Sequence, residues 1–209
     1  MSISKLLDKK QKGDRQVKIA ALVFIALVVA TVLLINPFKK RMPVAPSLNV
    51  NWETLENNAH KAYPDSYLTN VSIDVNGSLS YKFSAEYHSA SQADLLLYVE
   101  IDDLSKVIIN PFTSPPLVQS SRTMPIYRKD WLIDSQEALS LFARNDVANS
   151  CLLTSNGIVA LSLYKNQTND GELSTWELFI IDCPVKGNAK HFYLNANTGE
   201  FVDPFAPVK

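Results

Sequence analysis

Tyr67-Leu-Thr-Asn-Val-Ser-Ile-Asp-Val75 and Leu79-Ser-Tyr-Lys-Phe-Ser-Ala-Glu-Tyr87, separated by the turn residues Asn76-Gly77, decide the fold class. Both runs read as extended chain, and Asn-Gly between two such runs is a strong reversal signal. In the second run Tyr81, Phe83, Ala85 and Tyr87 recur at period two, which puts them on one face of a strand. The plain expectation is that this aromatic face packs on a helix. The sharper one is that part of it stays exposed and docks a partner.

Upstream, Trp52, Leu55, Ala59 and Ala62 share one helical face, and Pro64 ends that helix. Downstream come a strand Leu95–Ile101, a turn Asp102-Asp103-Leu104-Ser105 and a short strand Lys106–Ile109, closed by Pro111-Phe112. The order then recurs. Asp134 or Ser135 can cap a helix with Glu137 in its first turn and Ala138, Leu139, Leu141 and Phe142 on its apolar face. Strands are expected at Ser150–Thr154, Ile158–Lys165, Thr175–Asp182, His191–Leu194 and Glu200–Val202, ending in Pro204-Phe205. A second Asn-Gly turn falls at Asn156-Gly157. Helices segregated from antiparallel strands define an α+β fold, here expected as two tandem helix-plus-antiparallel-sheet units.

In the second unit Ser135-Gln136-Glu137-Ala138 opens a helix, Trp176-Glu177-Leu178 falls on a central strand and Tyr193-Leu-Asn-Ala-Asn-Thr-Gly-Glu-Phe-Val202 stands at the end. With these motifs the unit resembles the PepSY domain. Asn195 stands where that family usually has Asp. The similarity covers Asp134–Asp203 well; Val50–Phe112 matches only in the order of its elements and lacks the Thr-Gly. Asn195 and Thr198 can hydrogen-bond the turn backbone, and Gly199 can take a positive φ that would strain other residues. The resemblance implies an extracytoplasmic bacterial module, proposed in the family to restrain peptidases or bind partners, with no catalytic residues of its own.

Ile19–Ile35 reads IAALVFIALVVATVLLI, seventeen residues without charge, Gly or Pro. As a helix it spans about 25 Å, just inside the range for crossing a bilayer. Lys5, Lys9, Lys10, Lys12, Arg15 and Lys18 precede it, and Lys39, Lys40 and Arg41 follow. That asymmetry favours a cytoplasmic N-terminus and an extracytoplasmic C-terminal body. The rival, a cleaved signal peptide, lacks a convincing small-x-small site before the KKR. The expected division is therefore 1–18 cytoplasmic tail, 19–35 transmembrane signal anchor, 36–50 stalk, 51–112 first unit, 113–133 connector, 134–205 second unit and 206–209 tail.

The formal net charge of −1 hides a split: nine Lys+Arg against two Asp+Glu in residues 1–41, and eleven against nineteen thereafter. An acidic body repels phosphate backbones, so nucleic acid is not an expected partner. The only cysteines, Cys151 and Cys183, fall in the second unit, and an even count outside the membrane points to a disulfide; the alternative is two buried free thiols. Asn70, Asn76 and Asn166 begin N-x-S/T triplets, read here as turn chemistry.

No Walker loop, dinucleotide fingerprint, G-x-S-x-G elbow or H-E-x-x-H occurs. His60, His88 and His191 show no obvious carboxylate or cysteine partner at local spacing, and Trp52, Trp131 and Trp176 read as core anchors. No catalytic residue, cofactor or metal is expected. The expected function is a membrane-anchored, extracytoplasmic protein-binding module, either a peptidase regulator or an accessory subunit of a membrane complex. The alternative is an extracytoplasmic hydrolase with its site between the two units; a cleft holding a His within reach of a carboxylate or nucleophile would favour it.

Overall fold

The computed structural model describes residues 42–92, 94–102, 104–113, 124–168, 171–183 and 189–203. Its core element is one seven-stranded antiparallel sheet, ordered β4-β3-β2-β1-β5-β6-β7. The strands are β1 Ser66–Asp74, β2 Phe83–Ser89, β3 Leu95–Ile101, β4 Val107–Thr113, β5 Val159–Thr168, β6 Gly171–Ile181 and β7 Ala189–Asn195. Among the described residues three α-helices accompany it: α1 Leu48–Ala62, α2 Ser135–Phe142 and α3 Asp146–Thr154.

This corrects the expectation of two tandem PepSY-like units. The strands expected to belong to separate sheets meet side by side, with β1 pairing β5 from Asn70↔Tyr164 to Asp74↔Ala160. The physical reason is edge removal: in separate sheets β1 and β5 would each expose a row of unpaired N–H and C=O groups, and their pairing satisfies both rows at once. Val71 and Ile73 of β1 stand opposite Leu163 and Leu161, so the apolar stripes of the two halves also fuse. One continuous core results, running from Leu55 and Phe83 through Val71 and Leu163 to Trp176 and Leu194.

Contacts between helices lock the same arrangement. The Ser135 hydroxyl accepts from Leu48 N–H at 2.9 Å and donates to the Pro46 carbonyl at 2.6 Å. Asp134 occupies the N-cap of α2 without capping it; its carboxylate accepts from Asn49 N–H of α1 at 3.0 Å instead. The Trp52 and Trp131 rings meet edge-on at 4.6 Å.

Local corrections follow from burial and capping. Residues 48–50 belong to α1, capped by the Ser47 side chain, and Ala45 and Leu48 are buried; the expected stalk therefore stops short of residue 50. Ser150–Thr154 is not a strand but the end of α3. The Asn145 carboxamide caps Val147 and Ala148 N–H, and Ala148, Cys151 and Leu152 form one buried helical face. A run of five residues with two leucines is too short for period alone to choose between helix and strand. Pro111 lies inside β4, tolerated because this is an edge strand with no neighbour needing its missing N–H.

Among the described residues no helix is long and apolar enough to cross a membrane. Ile19–Ile35, the basic tail 1–18, the stalk before Met42, residues 114–123 of the connector and the tail 206–209 lie outside the described residues.

Candidate functional site

Side chains alternate across the sheet, so the register sorts them by face. One face carries Phe83, Val99, Ile73, Leu161, Leu178 and the rest of the core beneath the helices. The other bears no helix among the described residues, and its rows are polar. One row runs Asn110, Tyr98, Glu86, Asn70, Tyr164, Thr175, Asn195; the next runs Ile108, Glu100, Ser84, Ser72, Ser162, Glu177, Tyr193. Tyr164 and Thr175 are fully buried, so access to this face is local rather than uniform.

The accessible part over the β1–β5–β6 junction is a groove of about 360 Å3. Ser72, Ser162, Glu177 and His191 give its polar lining, and Leu79, Tyr81, Ile158, Ala160 and Phe179 its apolar walls. Glu177 is only 4% exposed and lies at the floor, whereas His191 is exposed at the rim. His191 Nδ1 approaches Glu177 Oε1 at 2.6 Å. The pairing follows from register: His191 on β7 stands opposite Phe179 on β6, and Glu177 is the next residue of β6 on the same face. The His191 ring lies 4.8 Å from Phe179 and 6.3 Å from Tyr193, forming an aromatic stripe beside the carboxylate.

The wall bearing Leu79 and Tyr81 belongs to the β1–β2 connection, held by short-range chemistry. The Asp74 carboxylate accepts from the N–H groups of Asn76, Gly77 and Leu79. Asn76 then bridges to the second Asn-Gly turn: its Nδ2 donates to the Gly157 carbonyl at 2.8 Å and its Oδ1 accepts from Val159 N–H at 3.3 Å. Gly77 takes φ +73°, a left-handed conformation that suits Gly. Gly157 permits close approach, since a Cβ there would stand 2.8 Å from the Ile181 carbonyl oxygen. Tyr81 precedes β2 and lines the groove, while Phe83, Ala85 and Tyr87 enter the core; the expected four-residue aromatic face is thus divided.

A second carboxylate–imidazole cluster occupies the β1–β3 part of the same face. Glu86 accepts from Tyr98 OH at 3.2 Å and Thr69 Oγ1 at 3.4 Å, and its Oε1 lies 3.1 Å from His88 Nε2. The His88 hydrogen bond leads the influences that hold the Glu86 carboxyl below its ordinary range despite burial. Burial, then the Glu86 charge, pushes the Tyr98 phenol up to about 12. The Tyr67 ring stacks on His88 at 5.9 Å. This network is densely bonded, with the character of a structural clamp.

All three histidines therefore have a carboxylate nearby, which corrects the reading of them as unpartnered. The spacing of Glu56–His60, one helical turn at 3.8 Å, and of Glu86–His88, i to i+2 on a strand, was visible in the sequence. Glu177–His191 needed the β6–β7 register.

The other singled-out residues lie away from the groove. Cys151 and Cys183 form a disulfide, Cα–Cα 4.8 Å, tying α3 to the end of β6. In the turn after β7, Asn195 Oδ1 accepts from Asn197 and Thr198 N–H, and Thr198 Oγ1 accepts from Glu200 N–H. Gly199 there has φ +74°, and a Cβ would meet Leu141 and Ile133 at about 3 Å. Trp131 and Trp176 are fully buried, and Trp176 Nε1 donates to the Ile133 carbonyl at 2.8 Å. Asn70 and Asn166 sit on strands rather than in turns. Among the described residues no cluster of three or more His, Cys, Asp or Glu is arranged to hold a metal ion. Compared with protein-family models, curated proteins and solved structures, the chain matches none.

Proposed function

We propose that this chain is a membrane-anchored, extracytoplasmic protein-binding module, a restraint on a peptidase or an accessory subunit of a membrane complex, and that its groove receives the partner. The observation that carries this reading is the groove itself: an accessible, mixed polar and aromatic recess on a sheet face that no described helix covers. Aromatic and hydroxyl side chains around a recessed charge are the chemistry of protein recognition. The Ile19–Ile35 stretch and the basic residues before it support anchoring with the body outside, and anchoring would raise the effective concentration of a partner in the same membrane. The resemblance of Asp134–Asp203 to PepSY domains supports the same class.

The test is purification of the full chain from membranes in mild detergent, beside Ser162→Trp, which fills the groove. A stoichiometric protein that accompanies the wild type and is lost from Ser162→Trp is the expected result. A chain that purifies alone, or a companion indifferent to the substitution, would refute recognition through the groove.

One observation favours the second reading, an extracytoplasmic hydrolase. Glu177 orients His191 at 2.6 Å within a groove where β1 meets β5, and an imidazole so held is a usable general base. The two readings part on His191→Ala, which would abolish a hydrolytic activity.

A further inference from the structure

We infer that the outer edge of β4 is the contact through which two copies of this chain join, strand against strand, on a surface separate from the groove. β4 is an edge of the sheet, and among the described residues nothing pairs with its outer side. Which groups face outward follows from the ladder. Asp102 N–H donates to the Lys106 carbonyl at 3.1 Å, flanking the opposed residues Ile101 and Val107. Ile101↔Val107 is therefore a non-hydrogen-bonded pair, and the N–H and C=O of Val107 point away from β3. By alternation so do those of Ile109 and Thr113, while Pro111 presents its carbonyl alone.

Three features of the strand single out a second copy. First, Val107–Thr113 holds no charged side chain, in a body where residues 42–209 carry nineteen acidic against eleven basic. Two such bodies repel, and a neutral strand is where they meet at least cost. The opposite edge differs. β7 carries Lys190, and the returning chain bonds it through Asn195 N–H to the Glu200 carbonyl and Val202 N–H to the Tyr193 carbonyl. Second, the β4 edge is apolar on both faces. Ile109 is 38% and Phe112 55% exposed, and Val107 already packs against the core, which a further strand would extend. Third, β4 complements itself about Asn110. In an antiparallel pair centred there, Phe112 stands opposite the second copy's Ile108 on one face, and Ile109 opposite its Pro111 on the other. Each outward N–H then meets a carbonyl: Val107 donates to the second copy's Thr113, Ile109 to its Pro111 and Thr113 to its Val107. Centring the pair on Pro111 forfeits the central bonds, and centring it on Ile109 sets Phe112 against Lys106. The contact is isologous and stops at two copies, because the β7 edges that remain are charged and partly bonded.

The test is oxidative cross-linking of the full chain in mild detergent. About this centre Asn110 faces its own copy at a non-hydrogen-bonded position, where Cα atoms lie about 4.5 Å apart, within the span of a disulfide. Ile108→Cys and Phe112→Cys instead place each thiol about 13 Å along the strands from its counterpart. Both native cysteines are held in the disulfide, so each variant carries a single free thiol. Asn110→Cys is expected to give disulfide-linked dimers at least about tenfold faster than Ile108→Cys or Phe112→Cys. Analytical ultracentrifugation should return a dimer for the wild type and a monomer for Ile109→Lys, which sets like charges into the strand pair. Should Ile109→Lys fail to fold, Phe112→Lys serves. A monomeric wild type, equal cross-linking at the three positions, or a dimer that survives the lysine substitutions would overturn the inference. So would a monomeric chain carrying a foreign protein that Ile109→Lys releases, which would assign the edge to another protein's strand. None of these outcomes bears on the groove, whose own test is Ser162→Trp.

Discussion

Trp176→Ala is expected to destabilise the protein by about 3–5 kcal/mol, the range for removing a fully buried aromatic ring. Trp176 lies in β6 between Leu163 on β5 and Leu194 on β7, with no exposed surface. Its loss leaves a cavity under α2. It also strips the Ile133 carbonyl of its indole donor, and an orphaned buried acceptor adds about 1–3 kcal/mol. Trp176→Phe separates the two parts, keeping most of the volume while losing the hydrogen bond. Urea unfolding of the three proteins measures both. A loss below about 1 kcal/mol for Trp176→Ala would mean that the ring is not the anchor that the core geometry makes it.

The second large effect lies in the disulfide. Cys151 and Cys183 are separated by 32 residues, and closing a loop of that length restricts the unfolded chain by about 3–4 kcal/mol in the chain-entropy account. Joint replacement of both cysteines by serine is expected to cost about that much, and reductant should lower the wild-type unfolding midpoint toward the variant's. The bridge joins α3 to the exit of β6 on the core side, remote in register from Ser162 and Glu177. Partner retention through the groove should therefore persist below the unfolding transition. A midpoint unmoved by reductant would show that the bridge contributes nothing.

The strands were readable where period two was clean. Leu95–Ile101 is apolar at every second position and forms β3 over the same residues, with burial that alternates along it. The Asn76-Gly77 and Asn156-Gly157 signals mark real reversals, yet their more consequential property is that Asn76 bonds Gly157 and Val159 across 81 and 83 residues. No local pattern announces such a contact. The same holds for the joining of β1 to β5. Val71, Ile73, Leu161 and Leu163 read identically whether their strands are edges of two sheets or neighbours in one, because side-chain period reports which face is buried and not which strand lies alongside. α3 is hidden when Ser150–Thr154 is taken without Asn145, whose cap starts the helix at Asp146. Of the site, Glu177 and His191 are singly visible, but their meeting, 14 residues apart in the chain, depends on the β6–β7 register.

The β1–β5 pairing carries the rest, since it fuses the core and creates the groove. Native-state hydrogen exchange, read by mass spectrometry over β1 and β5, tests it most directly. In a single sheet these strands are central, so the amides of residues 70–74 and 160–164 should be among the slowest and should exchange together, near the global unfolding free energy. Fast exchange of alternate amides along β1 or β5, as edge strands give, or separate opening of the β1–β4 and β5–β7 segments, would contradict the account.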